Sequence, residues 1–316
     1  MAKSVLSEAR FHCEEAAFEY VEAQLWPNGP VCPFCGATDE HIGRLNGKTT
    51  RPGLRKCYAC RKPFTVRIGS IFEDSHLPLR LWLQAIHLLC ASKKGFSTRQ
   101  LQRTLGCGMK TAWHLSHRIR HMVTPNSAGP MGKGGKVIEA DETYVGGLEK
   151  NKHANKRTYP YAYGGKGKQV VIALVERGGA IRSHHVPTVT SKNVGAILET
   201  HVHDDAVLYT DDSKIYRTVR PKRRPKATVM HSAGEYVRGD VHTNTVEGFF
   251  SILKRGLNGV YHHVSEAHLQ RYLHEFDFRY SNRSALGIED EQRADRAIQG
   301  AKGKRLTYET TRGAAI

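Results

Sequence analysis

Three features of the sequence predict a multidomain α/β protein: two paired-cysteine knuckles near the N-terminus, an acid-free stretch with helical periodicity, and a C-terminal half in which short apolar strands alternate with helices. At roughly 100 to 200 residues per domain, 316 residues allow two or three domains, so length does not limit the core. With 39% hydrophobic and 25% charged residues the composition is that of an ordinary globular protein, not a disordered one. No apolar run approaches the roughly 20 residues of a membrane span, and Met1 to Arg10 lacks the apolar segment of a secretory signal. A cytoplasmic protein with no membrane partner is expected.

The unusual quantity is charge. Forty-eight Lys and Arg against 30 Asp and Glu give a net +18, a sign and size that suit a polyanion such as nucleic acid. Its distribution is uneven. Between Asp74 and Glu139 there is no acidic residue, while Arg80, Lys93, Lys94, Arg99, Arg103, Lys110, Arg118, Arg120, Lys133 and Lys136 all fall in that stretch. Two further basic segments, Leu148 to Lys168 and Ser213 to His231, interrupt a region that is otherwise net acidic.

Residues 1–70 are expected to form an N-terminal helix and a zinc ribbon. Cys32-Pro33-Phe34-Cys35 and Cys57-Tyr58-Ala59-Cys60 are two C-x-x-C knuckles separated by 21 residues, and each can present two thiolates to one tetrahedral Zn²⁺. Four thiolates leave no open position, so the ion is structural. Cys13, Cys90 and Cys107 lie outside this pattern and read as buried or incidental thiols.

Residues 76–123 are expected to form a helix-turn-helix unit. Leu81, Leu83, Ile86, Leu89 and Cys90 recur at helical spacing, a second helix starts at Ser97 or Thr98, and Gly106-Cys107-Gly108 breaks it before a third, Met109 to Met122. Helix, glycine turn and basic helix is the arrangement that sends its last helix into the major groove, which makes Arg99, Lys110, Thr111, Arg118 and Arg120 candidate DNA contacts. Residues 124–135, rich in Pro, Gly and Ser, read as a flexible linker.

Residues 136–285 are expected to form a mixed sheet. Val137 to Val145 is a strand with Glu139 and Asp141 on one face; Gln169 to Glu176, almost continuously apolar, is a central strand; Ala180 to Val189 follows across Gly178-Gly179. Ser191 to His201 is a crossover helix leading to a strand, Ala206 to Asp212, that would run parallel to the first. A further strand from Ala227 to Ser232, a helix from about Asn244 to Leu257 and another from Ser265 to Arg283 complete a ribonuclease-H-like order. Residues 286–316 are polar and read as a partly disordered tail.

In that order the first and fourth strands are neighbours, so Asp141 and Asp211 would converge, and Glu247, with 35 residues between it and Asp211 and on the first turn of its helix, could close the group. Three carboxylates suit two Mg²⁺ (or Mn²⁺) ions and an in-line phosphodiester displacement. Each acid also has a plain alternative: Asp211 or Asp212 could cap the turn at Ser213, and Asn244 with Glu247 fits a variant capping box. The paired histidines His201, His203, His262 and His263 have no matching ligand set and read as solvated or hydrogen-bonded.

At these residues the chain resembles the zinc-ribbon-bearing, ISXO-type DDE insertion-sequence transposases. The resemblance rests on WPNGPVCPFCG from Trp26, the knuckle at Cys57, ADETYVGG from Ala140, YTDDSKIY from Tyr209 and HTNTVEGFFSILKRG from His242. It implies Asp141 and Asp211 as catalytic metal ligands, with Glu247 or Asn244 as the third member; Glu247 is preferred for its spacing, for Lys254 two turns on, and because a carboxylate is the stronger ligand. It implies cleavage of double-stranded DNA at the element's terminal inverted repeats, joining of the freed 3′-OH to target DNA, and a homo-oligomer on DNA. Lys152, Lys156, Arg157, Arg223, Arg224 and Lys254 would hold phosphate backbone. Two other functions fit the same residues, a DNA-binding regulator with an inactive catalytic half and a nuclease without strand transfer.

Overall fold

The computed structural model describes residues 4–126, 129–147, 151–157, 167–219 and 225–307. The chain divides into two compact units, one of Met1–Thr124 with Ile288–Ile316 and one of Pro125–Gly287.

The first unit begins with α1 (Glu14–Leu25), whose first-turn Glu14 and Glu15 suit the positive end of the helix. Its buried face is Ala17, Phe18, Val21 and Leu25. Three short strands, β1 (Ile42–Arg44), β2 (Arg55–Cys57) and β3 (Pro63–Phe64), form an antiparallel sheet in that order. Arg55 binds Glu22 of α1 at 2.6 Å. The next helix, α2 (Leu79–Ala91), has its first two amides, Leu79 and Arg80, donating to the Glu14 carboxylate at 2.8 and 3.2 Å, so the orphan donors of its N-terminus are met from another helix. Ser97 caps α3 (Thr98–Leu105), and Gly106 ends it in the left-handed region at φ 63° before α4 (Met109–Met122) begins.

Residues 286–316, expected as a polar tail, contain a helix, α9 (Asp290–Gln299), that packs on α2, α1 and α4 of this unit. A capping box between Glu289 and Gln292 starts it. Its buried stripe is Ala294, Ala297 and Ile298, followed by Ala301. Alanines make so weak a hydrophobic signal that the segment reads as polar, yet their size lets helices approach closely. Beyond α9 the backbone is tied to the start of the unit by Ile71 N–H to the Ala301 carbonyl (3.0 Å) and Gly303 N–H to the Gly69 carbonyl (2.8 Å). The Lys304 ammonium donates to the carbonyls of Met122 and Thr124 at the end of α4.

The second unit is built on a five-stranded sheet: β4 (Val137–Val145), β5 (Gln169–Glu176), β6 (Ile181–Val186), β7 (Val207–Thr210) and β8 (Lys226–Thr228), in the order β6-β5-β4-β7-β8. The first three pair antiparallel; β7 runs parallel to β4 and β8 parallel to β7. The crossover is α5 (Ser191–His201), capped by Thr190, and α6 (Lys214–Thr218) follows β7. A small ribbon, β9 (Val237–Arg238) with β10 (Val241–His242), leads into α7 (Asn244–Gly256), which runs through a π turn at Leu257–Tyr261 towards α8 (Glu266–Ser281).

The period-2 alternation of β5 explains why that strand is apolar throughout. Val170, Ile172 and Leu174 pack with Ile138, Ala140, Val194 and Leu198 on the α5 side, while Val171, Ala173 and Val175 pack with Val246, Phe249, Leu253, Leu273 and Phe276 on the α7/α8 side. Both faces of β5 are covered. On β4 the same alternation turns Ile138 and Ala140 towards α5 and places Glu139 and Asp141 on the face that meets α7.

The segment expected as a flexible linker is in part packed. Met131 is buried and bridges Val202, and the amide of Gly132 donates to Glu176 at 3.0 Å. Gly132 has φ +82°, and a Cβ there would lie 2.4 Å from that of Ala206, so glycine serves close approach here more than flexibility.

Because Ala297 has no exposed surface, Ala297→Asp is expected to lower the stability of the first unit by on the order of 3 kcal/mol, read by thermal or urea unfolding. A melting temperature equal to that of the unaltered protein would show that α9 contributes nothing to this core.

Candidate active site

The four knuckle cysteines form one cluster. Their sulfurs all lie within 4.8 Å of one another, with Cys32 to Cys60 and Cys35 to Cys57 both at 3.6 Å. A regular Zn(Cys)₄ tetrahedron with Zn–S of about 2.3 Å has edges of about 3.8 Å, so the donors fit the ion. Although burial opposes ionisation, backbone amides of Phe34 and Cys35 bring the Cys32 thiol down to about 7. Ile42 and Phe64 pack around the cluster, with Trp26 edge-on to Phe64 at 6.0 Å. The zinc is structural: its four thiolates close the coordination sphere.

In the helix-turn-helix unit, Arg99 and Lys110 are exposed and Thr111 is half-buried, at the start of α3 and of α4. Arg118 and Arg120 are not surface residues. Arg118 donates to the Glu73 carbonyl at 2.5 Å and lies over the Trp82 ring at 5.1 Å, and burial brings it down to about 10. Arg120 has no exposed surface and donates to the Ser116 hydroxyl at 3.0 Å. The physical reason is that the second half of α4 lies within the unit: every residue from Leu115 to Arg120 is buried. Neither arginine reaches a phosphate from there.

The acids lie at the α7 face of the sheet. The β4–β7 pairing runs from Val137 with Val207 to Glu139 with Tyr209, and Asp141 and Asp211 each come two residues further along parallel strands. That register brings them abreast. Glu247 sits on the first turn of α7, where its Oε1 accepts from the Thr243 hydroxyl at 3.1 Å and lies 3.9 Å from His231 Nε2. Asp141 is pushed up to about 8 by burial first, then by the negative charges of Glu142, Asp211 and Glu247, a shift that its 2.7 Å bond from the Glu142 amide does not offset. Asp211 is raised by burial, against the opposing pull of the Ser213 amide, His231 and Lys226. The acids are close enough to feel one another without being one tight ligand cage. Among the described residues, the cysteine cluster is the only group of three or more potential ligands whose atoms all lie within 4.8 Å.

Asn244 is exposed, and its amide donates to His242 Nδ1 at 3.3 Å. The capping box anticipated between Asn244 and Glu247 is absent: Thr243 holds the N-cap position, and the Thr245 and Val246 amides donate to Glu139 instead. Asp211 does accept from the Ser213 amide (3.1 Å), so turn formation and placement in the acid group coexist. Lys254 is exposed near the end of the same helix. Lys152 and Arg157 are exposed, with Arg157 Nε donating to the Lys152 carbonyl at 3.0 Å. The Lys156 side chain, Arg223 and Arg224 lie outside the described residues.

Sequence reasoning missed two members of the neighbourhood. Glu142 is raised by burial and by the charge of Asp211, and the buried Tyr216 hydroxyl is held protonated by burial and by the charges of Glu142, Asp141 and Asp211. Both stand inside motifs already singled out, ADETYVGG and YTDDSKIY. Strand alternation would put Glu142 on the far face of β4, which hid its electrical coupling to the others.

A cysteine ribbon, a helix-turn-helix and a mixed sheet carrying acids on neighbouring parallel strands define a ribonuclease-H-like protein of the DDE class. Family models agree: one for the ISXO2-like transposase domain matches residues 133–281, and one for the transposase zinc-ribbon domain matches residues 12–63. The chain belongs to the zinc-ribbon-bearing, ISXO-type family of DDE insertion-sequence transposases. Among curated proteins it is similar to an uncharacterized protein in transposable element ISH50 of Halobacterium salinarum, 28% identical over 282 residues, covering 85% of this chain and 91% of that one. Among solved structures it overlaps slightly with a pre-cleavage Mos1 transpososome (13% identity, 68% of this chain and 73% of that one, TM-score 0.28). A Mos1 transposase paired-end complex with the left transposon end gives 12% identity, 65% and 77% coverage and a TM-score of 0.23.

The crowding of acids has a consequence for pH. A carboxyl whose folded value is raised to about 8 from 3.8 stabilises the metal-free fold most at low pH, and that contribution fades as pH rises through this range. Asp141→Asn is therefore expected to melt higher than the unaltered metal-free protein at pH 8, with the gap closing at pH 4 to 5. A variant less stable at pH 8 than at pH 5, relative to the unaltered protein, would contradict the raised value.

Proposed function

We propose that this chain is a metal-dependent DNA transposase that binds the terminal inverted repeats of its element, cuts the DNA there and joins the freed 3′-OH to target DNA. The observation that supports the reading is the parallel pairing of β4 with β7, which sets Asp141 and Asp211 on neighbouring segments, with burial and then the charges of Glu142, Asp211 and Glu247 pushing Asp141 up to about 8. So costly an arrangement of like charges suits divalent cations. Asp141, Asp211 and Glu247 would hold two Mg²⁺ or Mn²⁺ ions. Glu247 is favoured over Asn244 because a carboxylate is the stronger ligand for a divalent cation.

When bound, the ions supply Lewis acidity to the attacking and departing oxygens of an in-line displacement. In the first reaction water attacks the phosphorus, one P–O bond forms and one breaks, and the 3′-oxygen leaves as a hydroxyl. In the second, that hydroxyl attacks a target phosphodiester with the same balance, so no external energy source or covalent protein intermediate is required. Lys254, Lys152 and Arg157, exposed on the second unit, would hold backbone phosphates. Arg99, Lys110 and Thr111, at the N-terminal ends of α3 and α4, are the candidates for groove contact. A homo-oligomer would hold two element ends together.

Asp141→Asn and Asp211→Asn are expected to reduce Mg²⁺-dependent cleavage of repeat-ended DNA to background while leaving repeat binding within about threefold. Glu247→Gln should fall with them and Asn244→Ala should not. Normal turnover by either aspartate variant would overturn the assignment. Cleavage by the unaltered protein without joined donor–target product would make it a nuclease, and good binding with no cleavage a regulator.

A further inference from the structure

Glu139 has no exposed surface, and a carboxylate withdrawn from water persists only if its lone pairs and charge are answered. Here both oxygens are fully engaged. Oε1 accepts from Arg177 Nε at 2.6 Å and from the Thr245 hydroxyl at 2.8 Å, with His242 Nδ1 at 3.4 Å. Oε2 accepts from the backbone amides of Thr245 at 2.8 Å and Val246 at 3.1 Å. Those two amides belong to the first turn of α7, whose donors have no partner within the helix. The residue at the N-cap does not serve them, because the Thr243 hydroxyl is turned to Glu247. The cap of α7 is thus a side chain 106 residues earlier in the chain, on the strand that carries Asp141.

Arg177 extends the same junction. Besides meeting Glu139, it donates to the carbonyls of Asp240 and His242 at 2.8 and 3.1 Å, and it lies over the Tyr209 ring at 4.8 Å. Tyr209 is the β7 partner of Glu139 and stands two residues before Asp211. One buried ion pair therefore touches β4, β7, the approach to α7 and α7 itself, the segments that present the three acids.

We infer that Glu139 is the positioning residue of the acidic site: with Arg177 as its counter-charge, it clamps the first turn of α7 to β4 and so fixes where Glu247 stands relative to Asp141. This rests on the reading of Asp141, Asp211 and Glu247 as ligands of the catalytic ions. Glu247 follows Val246 directly, so any swing of the clamped turn is passed to its carboxylate. A displacement of about 1 Å in such a group is enough to cost on the order of 10²-fold in rate. Glutamine at position 139 has the right size but only one oxygen for four donors, and its amide hydrogens would face other donors.

The test uses the full-length protein. Glu139→Gln is expected to lower kcat for repeat-end cleavage on the order of 10²-fold with KM for DNA unchanged, and to weaken Mn²⁺ binding to the DNA-free protein, followed by electron paramagnetic resonance of free Mn²⁺, by roughly 10-fold or more. Thr245→Val, which removes one of the four donors and leaves both amides, should shift both readouts in the same direction by less. Unchanged kcat and unchanged Mn²⁺ affinity in a folded Glu139→Gln would overturn the inference. If that variant fails to fold, unchanged values in Thr245→Val overturn it equally. Failure of the underlying reading looks different, since Asp141→Asn would then itself leave Mn²⁺ binding and cleavage intact.

Discussion

The sheet-bearing unit of this protein is organised around one buried carboxylate and the helix end that it caps. An ionised group inside a sheet–helix interface contributes little net stability, because its desolvation offsets most of what its partners return; removing a partner, however, costs about 3 to 5 kcal/mol. Such a contact specifies geometry more than it stabilises. At Glu139 the specified geometry is the meeting of β4 with the first turn of α7, which has no other cap for its Thr245 and Val246 amides. Apolar packing of Val246, Phe249 and Leu253 on β5 holds α7 against the sheet, but it tolerates sliding. Four directional hydrogen bonds to one carboxylate do not.

The same unit holds a second, opposite kind of electrostatics. Glu139 is matched by Arg177, whereas Asp141, two residues on, is surrounded by Glu142, Asp211 and Glu247 and is held far from its ordinary value. A satisfied acid beside a frustrated cluster separates what builds the fold from what the fold is for. Part of the chain's excess of 48 Lys and Arg over 30 Asp and Glu is exposed elsewhere, at Arg99 and Lys110 of the helical unit and at Lys152, Arg157 and Lys254 of the sheet unit. Exposed positive charge of this kind attracts polyanions, and the proposed reading gives it DNA to hold.

Where one physical signal dominated, the sequence was legible. Strands β4 and β5 and helix α5 fall where the sequence pattern put them, β5 because a doubly covered strand is apolar throughout. The convergence of Asp141 and Asp211 followed from topology alone, since a single crossover helix forces β7 parallel to β4. The cysteine cluster followed from spacing. What escaped depended on partners distant in sequence. Helix α9 announces itself only through alanines, and its partner α2 lies some two hundred residues away, as the bond from Arg293 to the Cys90 carbonyl shows (2.9 Å). Arg118 and Arg120 looked like DNA contacts because their burial depends on tertiary packing, for Arg118 against Trp82 and the Glu73 carbonyl, that the sequence of α4 does not announce. The cap of α7 was sought next to Asn244 when it lay on another strand.

The proposed chemistry requires Asp141, Asp211 and Glu247 to act together as the ligands of divalent cations. The most direct measurement is anomalous diffraction from crystals of the full chain bound to repeat-end DNA and soaked in Mn²⁺. Two anomalous peaks are expected, held by Asp141, Asp211 and Glu247 and not by Asn244. A peak pattern that omits Asp141, or one in which Asn244 replaces Glu247, would contradict that chemistry.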